Sequence, residues 1–292
     1  MSDAETPGAP PLEPPRHLVR EAVARAIAED LGPLGDVTAA LVSRTAQVSA
    51  DIVVRADGVL AGTACATEVF AQVDPSVEVS WRVTDGAAVG EKAIVGTVGG
   101  SLRSVLTAER VALNFLCHLS GVATATRRFV DALGGRARVA ETRKTIPGLR
   151  ALEKAAVRAG GGVNHRGSLS DMVLIKDNHL GAIGISDAVA RARSMWPGRG
   201  VEVECERREQ VLEALDAGAD LVMLDNMTPE QAKGCVAVVR EHGRSGVLVE
   251  LSGGVTLENV GAFADAGVDI ISTSAITQSA PALDIALDVR AP

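Results

Sequence analysis

Six short strand-like runs alternate with helical segments in the second half of the chain, and this alternation limits the fold more than any other feature. We predict strands at 138–142, 172–175, 201–205, 221–224, 247–251 and 270–273, and helices at 149–159, 186–195, 208–217, 229–242 and 257–266. Strands that alternate with helices form parallel sheets joined by right-handed crossovers. The sequence therefore predicts an α/β domain with a six-stranded parallel sheet.

Polar groups follow these strands, and they decide between an open sheet and a barrel. They are Arg143-Lys144, Lys176-Asp177, Glu204, Asp225-Asn226, Ser252-Gly253-Gly254 and Ser272-Thr273-Ser274. Groups from this many strand ends converge most easily when the sheet curls into a barrel. An open dinucleotide-binding sheet is poorly supported, because no GxGxxG follows the first strand. We predict an incomplete TIM-like α/β barrel over residues 114–280, with the catalytic site at its strand ends.

The first part of the chain has a different pattern, which predicts a separate domain. Residues 1–16 hold five of the twelve prolines with little apolar periodicity, so we predict a disordered tail. Strand-like runs then alternate with glycine turns, and a long helix with Thr107 as its N-cap follows. The predicted strands are 50–55, 77–83 and 93–98, and the predicted helices are 17–30, 64–73 and 107–133. We predict an α+β domain over 17–113, to which residues 281–292 return.

A local excess of positive charge lies between residues 141 and 179. This stretch holds seven cations and four anions, a net charge of +3 in a chain of net charge −8. A local basic site in an acidic chain suits a small anionic ligand better than a nucleic acid, which would need a broad basic face. Four Phe, two Trp and no Tyr also argue against base stacking. We expect no nucleic-acid partner.

Cysteine usage and hydropathy indicate the compartment. The four cysteines, at 65, 117, 205 and 235, show no CxxC and no Cys/His metal spacing, which predicts reduced thiols. The sequence shows no signal-peptide pattern and no apolar run of transmembrane length. We expect a cytoplasmic protein with no membrane partner.

Several separated motifs occur in order along nearly the whole chain. They are GDVT, AERVALNFLCHLSGVATATR, TRKTIPGLRALEKAAVRAGGGVNHRGSLSDMVLIKDNH, VEVE, LVMLDNM and ELSGGVTLENV. Together they closely resemble the quinolinate phosphoribosyltransferase family, the carboxylating nicotinate-nucleotide pyrophosphorylases of NAD synthesis. The resemblance implies an N-terminal α/β sandwich, an open and incomplete α/β barrel, and at least a homodimer. It also implies conversion of quinolinate and phosphoribosyl pyrophosphate, with Mg²⁺, to nicotinate mononucleotide, pyrophosphate and CO₂.

The cations of the basic stretch predict a pocket for quinolinate, a planar dianion with adjacent carboxylates. Arginine forks bind planar carboxylates through two bonds, while lysine supplies a point charge. The predicted pocket contains Arg143, His165, Arg166 and Lys176, and by resemblance Arg110 joins them. A lone arginine would be a solvated surface cation, but three cations at strand ends or in a glycine-bounded loop indicate a site. His165 keeps an alternative role, which is to order its loop.

The second substrate is a polyanion that carries Mg²⁺, and it needs acids and phosphate-binding groups. Glu204 and Asp225 end consecutive strands, so they can hold ribose hydroxyls or magnesium-bound water. We predict both as catalytic, with Lys144 beside the reacting centre. Glu202 points the same way as Glu204 and is its rival, although the family pattern selects Glu204. The predicted phosphoribosyl pyrophosphate set is Lys144, Glu204, Asp225, Ser252, Gly253, Gly254 and Ser274.

Within the phosphate-binding part of this set, residues 252–254 are better supported by the sequence than Ser274. Backbone N–H groups of 252–254 and the following helix N-terminus are predicted to bind the 5′-phosphate. The chain departs from the family pattern at Ser274, where glycine is usual, and at Gln278, where histidine is usual. Glycine would let the backbone approach a phosphate closely, whereas serine either donates its hydroxyl or crowds the site. Gly253 and Gly254 are therefore the firmer predicted contacts.

Two other functions are open from the residues alone. One is a Schiff-base barrel enzyme with Lys144 or Lys176 as nucleophile. Each of these lysines has a charged neighbour rather than apolar residues on both sides, which argues against it. The other is a non-catalytic anion-binding relative, which the joint presence of the four pocket residues disfavours.

Overall fold

The computed structural model describes residues 13–290, and the chain in this range divides into two compact units. Unit 1 comprises the described residues up to Thr124, Pro147–Gly160 and those from Pro281 onward. Unit 2 comprises Ala125–Ile146 and Gly161–Ala280. The predicted tail falls mostly on residues 1–12, which lie outside the described residues. Between residues 13 and 290, no helix has the length and apolarity needed to cross a membrane.

Unit 1 is an α+β structure built on a four-stranded antiparallel sheet. With elements numbered along the whole chain, it contains α1 (Arg16–Leu31), a 3-10 helix (Ala39–Leu41), β1 (Gln47–Val54), β2 (Gly58–Val59), α2 (Thr63–Val73), β3 (Glu78–Trp81), β4 (Ala88–Val89), β5 (Ile94–Ser101), most of α3 (Leu102–Leu133), α4 (Arg150–Ala159) and β12 (Ile285–Val289). The strand order is β12-β1-β5-β3, and β2 pairs with β4. On β1 the side chains of Ala50, Ile52 and Val54 are buried in alternation, so one face of the sheet packs on the core.

Helix α3 begins five residues before its predicted start, so the predicted N-cap at Thr107 is wrong. Thr107 lies inside the helix, and its hydroxyl donates to Asp36 Oδ2 at 2.9 Å. The other oxygen of Asp36 accepts from the backbone N–H groups of Thr38 and Ala39, at 3.0 and 2.8 Å. Asp36 therefore caps the turn that follows it and also fixes that turn to α3.

Unit 2 is a parallel α/β structure. Its elements after α3 are β6 (Arg138–Ala140), β7 (Val173–Ile175), α5 (Asp177–Leu180), α6 (Ile185–Met195), β8 (Val201–Cys205), α7 (Arg208–Ala217), β9 (Leu221–Asp225), α8 (Pro229–Glu241), β10 (Leu248–Ser252), α9 (Val260–Asp265) and β11 (Ile270–Ser272). The strand order is β6-β11-β10-β9-β8-β7, and all neighbours are parallel. From β7 to β11 each strand lies beside the next one in the chain, as in a TIM barrel, and β6 pairs with β11. Within the described chain, β6 and β7 do not pair with each other. The prediction of an incomplete barrel is confirmed.

The strand register defines which side chains share the face that bears the polar groups. Glu204 on β8, Met223 on β9 and Glu250 on β10 stand side by side in one row. One row closer to the carboxyl ends, Asp225 pairs with Ser252, which pairs with Ser272. Because paired residues of a parallel sheet point to the same side, these two rows form one polar surface.

Two aspartates brace the amino ends of the barrel strands. Asp269 directly precedes β11, and its Oδ2 accepts from the backbone N–H of Val249 at 2.7 Å. The same carboxylate binds Arg240 of α8 through both oxygens, at 2.9 and 2.8 Å. Asp220 makes the corresponding contacts before β9, with Val201 N at 2.8 Å and Arg193 at 2.6 Å. Each aspartate therefore joins a strand start, a neighbouring strand and a helix.

We predict that Asp269→Ala lowers the free energy of unfolding by about 1–3 kcal/mol, because it leaves the N–H of Val249 without its side-chain acceptor and removes the carboxylate partner of Arg240. Urea denaturation would measure this change, and the folded variant should keep its catalytic activity. Asp265→Ala is the matched control, because that carboxylate pairs with Arg136 but is 68% exposed. Exposed ion pairs contribute about 0–1 kcal/mol. Equal losses in the two variants would contradict the bracing role.

Candidate active site

A cavity of about 310 Å³ opens at the carboxyl ends of the barrel strands in unit 2. It is lined by Thr142, Arg143, Lys144, His165, Arg166, Leu174, Lys176, Met223, Glu250, Ser252 and Ser272. This volume is at the lower end of the range for small-molecule sites, which is about 300–1,000 Å³. The carboxyl ends of barrel strands are also where enzymes of this architecture place their catalytic groups.

Five predicted cations meet at this cavity. Arg143 and Lys144 follow β6, Lys176 follows β7, and His165 with Arg166 comes from the loop before β7. Burial, and then repulsion from Arg143, lower the pKa of Arg166. Such a concentration of positive charge fits a ligand with more than one negative charge.

The loop that carries His165 and Arg166 is anchored beside β6. The backbone N–H of Val163 donates to the carbonyl of Val139 at 2.9 Å. The buried carboxylate of Glu141 accepts from the side-chain amide of Asn164 at 2.9 Å and from the backbone N–H of His165 at 3.1 Å. These bonds fix the backbone of the loop from which His165 and Arg166 reach the cavity.

Lys176 and Glu204, which were predicted to bind different substrates, form a direct ion pair. Lys176 Nζ donates to Glu204 Oε2, and the Glu204 residue is only 7% exposed. Lys176 was predicted for quinolinate and Glu204 for the phosphoribosyl substrate, so the two predicted subsites adjoin. The rival Glu202 is fully buried one row deeper on β8, where it contacts His165 instead.

Gly253 is required by the neighbouring turn. Asn226 has a left-handed backbone with φ 53°, and its N–H donates to the carbonyl of Ser252 at 3.0 Å. A Cβ on Gly253 would lie 2.2 Å from Asn226 Oδ1, so no larger residue fits without a shift. The Asn226 amide also donates to Asp225 at 2.8 Å, which fixes that carboxylate. Gly254 has φ 64° and open space around its Cα, so only its backbone conformation favours glycine.

The helix behind this turn is shorter than predicted, because α9 begins at Val260 instead of residue 257. Asn259 explains the late start: its Oδ1 accepts from Thr256 N at 2.8 Å, and its Nδ2 donates to the Gly254 carbonyl at 2.8 Å. These side-chain bonds stabilise a turn where the helix was predicted. The predicted anion seat therefore consists of the turn itself, without a helix N-terminus directly behind it.

The loop after β11 contains both departures from the family pattern. Ser274 is half-buried, and Gln278 is exposed. The hydroxyl of Thr277 donates to the carbonyl of Lys144 at 2.9 Å, which ties this loop to the segment after β6. Neither Ser274 nor Gln278 is among the residues that line the cavity.

Sequence reasoning missed Glu250 as a member of the site. It placed Ser272 among the polar groups after the strands but in neither of the two predicted substrate-binding sets. The Ser272 residue is 1% exposed, and its hydroxyl has no hydrogen-bond partner among the described residues. Glu250 stands two residues before Ser252 on β10, so strand periodicity places both on one face. That spacing was the available signal, because it assigns Glu250 to the same face as the predicted Ser252.

His165 is held by two buried glutamates. Its Nε2 lies 3.1 Å from Glu202 Oε2 and 3.4 Å from Glu250 Oε2. Burial alone lowers the pKa of His165, but the close contacts and charges of the two glutamates outweigh it and raise the pKa to about 10 from its ordinary 6.5. Burial raises the pKa of Glu202, and His165 partly opposes that rise.

Arg110 is the predicted quinolinate residue that does not line the cavity. It belongs to unit 1, where it lies on α3 with an exposed side chain. The other four predicted quinolinate residues all belong to unit 2.

Comparisons with known proteins identify the family. The model of the quinolinate phosphoribosyl transferase N-terminal domain matches residues 36–120, and that of the C-terminal domain matches residues 122–288. The chain belongs to the quinolinate phosphoribosyl transferase family.

Individual relatives match over most of their length. The nicotinate-nucleotide pyrophosphorylase [carboxylating] of Mycobacterium leprae is 44% identical, covering 92% of this chain and 96% of that protein. A mitochondrial quinolinate phosphoribosyltransferase [decarboxylating] of Nicotiana tabacum is 40% identical, covering 95% of this chain and 85% of that protein. The structure of the Francisella tularensis nicotinate-nucleotide pyrophosphorylase superposes with a TM-score of 0.89 at 38% identity, covering 95% of this chain and 98% of that one.

Proposed function

We propose that the protein transfers the phosphoribosyl group of phosphoribosyl pyrophosphate to quinolinate and releases CO₂. The products are nicotinate mononucleotide and pyrophosphate, and the reaction belongs to NAD synthesis. The observation that carries this proposal is the convergence of five cations on one cavity in a chain of this family. The test is to incubate the protein with Mg²⁺, phosphoribosyl pyrophosphate and quinolinate and to assay CO₂ and nicotinate mononucleotide.

Quinolinate binding is assigned to the cations of unit 2. Arg143 and Arg166 offer planar forks that match planar carboxylates, and Lys176 and His165 add two further positive groups. Because these groups come from separate strand ends and one loop, they can surround both carboxylates of the ring. The pyridine nitrogen would then face the subsite of the second substrate.

Phosphoribosyl pyrophosphate binding is assigned to the adjoining polar edge. Glu204 and Asp225 would hold ribose hydroxyls, and Gly253 with Gly254 would bring backbone N–H groups to the 5′-phosphate. Lys144 follows β6 with an exposed side chain that can reach the pyrophosphate. Ser252 and Ser274 belong to the same proposed set.

Carboxylates at this edge fit a Mg²⁺ requirement. Glu204 and Asp225 are oxygen donors, the class that Mg²⁺ prefers, and we assign them to magnesium-bound water or to the metal itself. The ion pair between Lys176 and Glu204 would open when both substrates bind. When bound, Mg²⁺ supplies positive charge against the leaving pyrophosphate.

The proposed chemistry depends on charge placement and uses no covalent nucleophile from the protein. The C1–oxygen bond of ribose breaks, pyrophosphate leaves with the electron pair, and the quinolinate nitrogen bonds to C1. The pyridinium so formed stabilises the carbanion left when the adjacent carboxylate departs as CO₂. A proton then takes the place of that carboxylate. Lys144 stabilises negative charge beside the reacting centre.

The Schiff-base alternative is disfavoured by the contacts of its two candidate lysines. The ammonium group of Lys176 is held in an ion pair with Glu204. Lys144 is exposed rather than enclosed by apolar side chains. Borohydride treatment in the presence of a carbonyl substrate should therefore give no covalent adduct, whereas a trapped adduct would favour that mechanism.

The assembly and location belong to the same proposal. We assign a homodimer or a higher homo-oligomer with shared active sites, as the family resemblance implies. Arg110 belongs to unit 1, whereas the rest of the proposed quinolinate set belongs to unit 2. The cytoplasmic location stays a prediction from the sequence.

We predict that Ser274→Gly leaves the affinity for phosphoribosyl pyrophosphate equal or tighter. The substitution removes a half-buried hydroxymethyl group and lets the backbone approach the phosphate. Equilibrium binding would measure this, with Ser279→Gly in the same loop as the matched control because Ser279 is exposed. A clear weakening in Ser274→Gly with an intact fold would instead show that the serine hydroxyl is a phosphate ligand.

A further inference from the structure

Two fully buried carboxylates meet one imidazole inside the barrel. Glu202 lies on β8 and Glu250 on β10, with β9 between them, and both residues are 0% exposed. His165 Nε2 reaches both, at 3.1 and 3.4 Å. The imidazole therefore joins two acids that lie on non-adjacent strands of the sheet.

These two carboxylates form few hydrogen bonds. Among the described residues, Oε1 of Glu202 and both oxygens of Glu250 make no hydrogen bond. A buried carboxylate without hydrogen bonds or a nearby cation is strongly destabilising. His165 lies within 4 Å of both carboxylates and supplies a positive charge to them when its ring is protonated. The charge of Arg166 also acts on Glu202.

The imidazole depends on the acids in turn. Arg143, Lys144, Arg166 and Lys176 line the same cavity, and they oppose a further positive charge on the ring. Glu141 accepts from the backbone N–H of His165 and contributes negative charge from the loop side. Because Nε2 faces two acceptors, that nitrogen carries a hydrogen, and the ring is a cation when Nδ1 carries one as well.

We propose that Glu202 and Glu250 are positioning residues that keep the His165 ring charged and fixed at the cavity wall, so that it serves as a permanent cation for a substrate carboxylate. The identity of that substrate as quinolinate rests on the proposed function. The proposal that the two glutamates keep the ring charged is independent of that function, because it follows from the contacts of the three side chains. The direction of the His165 pKa agrees with this arrangement.

The same three groups could chelate a metal ion by geometry, since their ligand atoms lie within 4.8 Å of one another. The surroundings favour the ion pair. Four cationic side chains line the adjoining cavity, and a divalent ion would add to their repulsion. An imidazolium neutralises the acids with a single positive charge.

The first test follows the imidazole directly by NMR, with the His165 resonance assigned by comparison with His165→Gln. In the wild-type protein the ring should stay protonated to well above pH 7. Glu250→Gln keeps the shape of the side chain and removes its charge, so the titration midpoint should fall by about 1–3 pH units. Glu202→Gln should act in the same direction. An unchanged midpoint in both variants would overturn the proposal.

The second test connects the charge to the ligand. Quinolinate affinity of the wild-type protein should be nearly constant between about pH 6 and pH 9, whereas that of Glu250→Gln should weaken about tenfold over this range. On a His165→Gln background, Glu250→Gln should change affinity by less than about twofold, because the acid acts through the histidine. Full additivity of the two substitutions would exclude a positioning role.

Glu153→Gln is the matched control. Glu153 is also 0% exposed and also faces a histidine, with His118 Nε2 at 2.8 Å from its Oε1, but both residues belong to unit 1. This variant should lose stability without any pH dependence of quinolinate affinity. If the wild-type protein binds no quinolinate, the proposed function fails, while the NMR titration still decides the charge support independently.

Discussion

Quinolinate should be consumed and nicotinate should not. Nicotinate lacks the second carboxylate, so the partly buried cation cluster of Arg143, Arg166 and Lys176 would lose one of the two negative charges that it is proposed to bind. Leaving one partner of a buried charge pair unmatched costs roughly 2–5 kcal/mol, which corresponds to a loss of about 30-fold to several thousand-fold in kcat/KM. The measurement is product formation from each acid at equal concentration with phosphoribosyl pyrophosphate and Mg²⁺.

A ligand without the ring nitrogen separates binding from chemistry. Benzene-1,2-dicarboxylate keeps two carboxylates on adjacent ring atoms, so it should compete with quinolinate at similar affinity and give no product. Nicotinate should compete weakly. Turnover of nicotinate at a rate equal to that of quinolinate would refute a pocket built for two carboxylates.

The strands of the barrel could be predicted because local pattern and tertiary role agree there. Val201–Cys205 and the helix Arg208–Ala217 have the predicted bounds, since each combines an apolar run or stripe with clear turn signals. The polar residues after the strands also indicated where the cavity would lie. Parallel strands bring their carboxyl ends to one edge, so the residues that follow the strands could be predicted to form one site.

Other features depend on contacts that a local pattern does not contain. Helix α3 starts at Leu102 directly after β5, whereas the predicted start was Thr107. The late start of α9 depends on the side chain of Asn259, and the short α5 was not predicted. Glu250 was missed because the contact that shows its role is made with His165, which is distant in the sequence.

The largest effect beyond substrate choice is expected at Arg110. Its side chain is exposed on α3 in unit 1, whereas the quinolinate cations of unit 2 line the cavity. We predict that Arg110→Ala reduces kcat/KM by about 30-fold or more, the cost of removing one partner from a close charge pair. We further predict that Arg110 acts in the site of a second copy of the chain, as the family resemblance implies.

Subunit mixing distinguishes action in trans from action within one chain. Arg110→Ala and Lys144→Ala should each be nearly inactive alone. In a mixed dimer, one site receives both lesions, and the other combines an intact Lys144 with the intact Arg110 of its partner. After complete exchange of an equal mixture, about a quarter of all sites should be intact, so about a quarter of wild-type activity should return.

A matched control removes every copy of Arg110. Mixing Arg110→Ala with a chain that carries both substitutions still leaves Lys144 in half of the subunits but supplies no arginine, so no activity should return. Native mass spectrometry would verify that mixed dimers form in both experiments. If exchange is complete and the first mixture stays inactive, Arg110 acts within its own chain or has no role in the site, and the shared-site proposal is wrong.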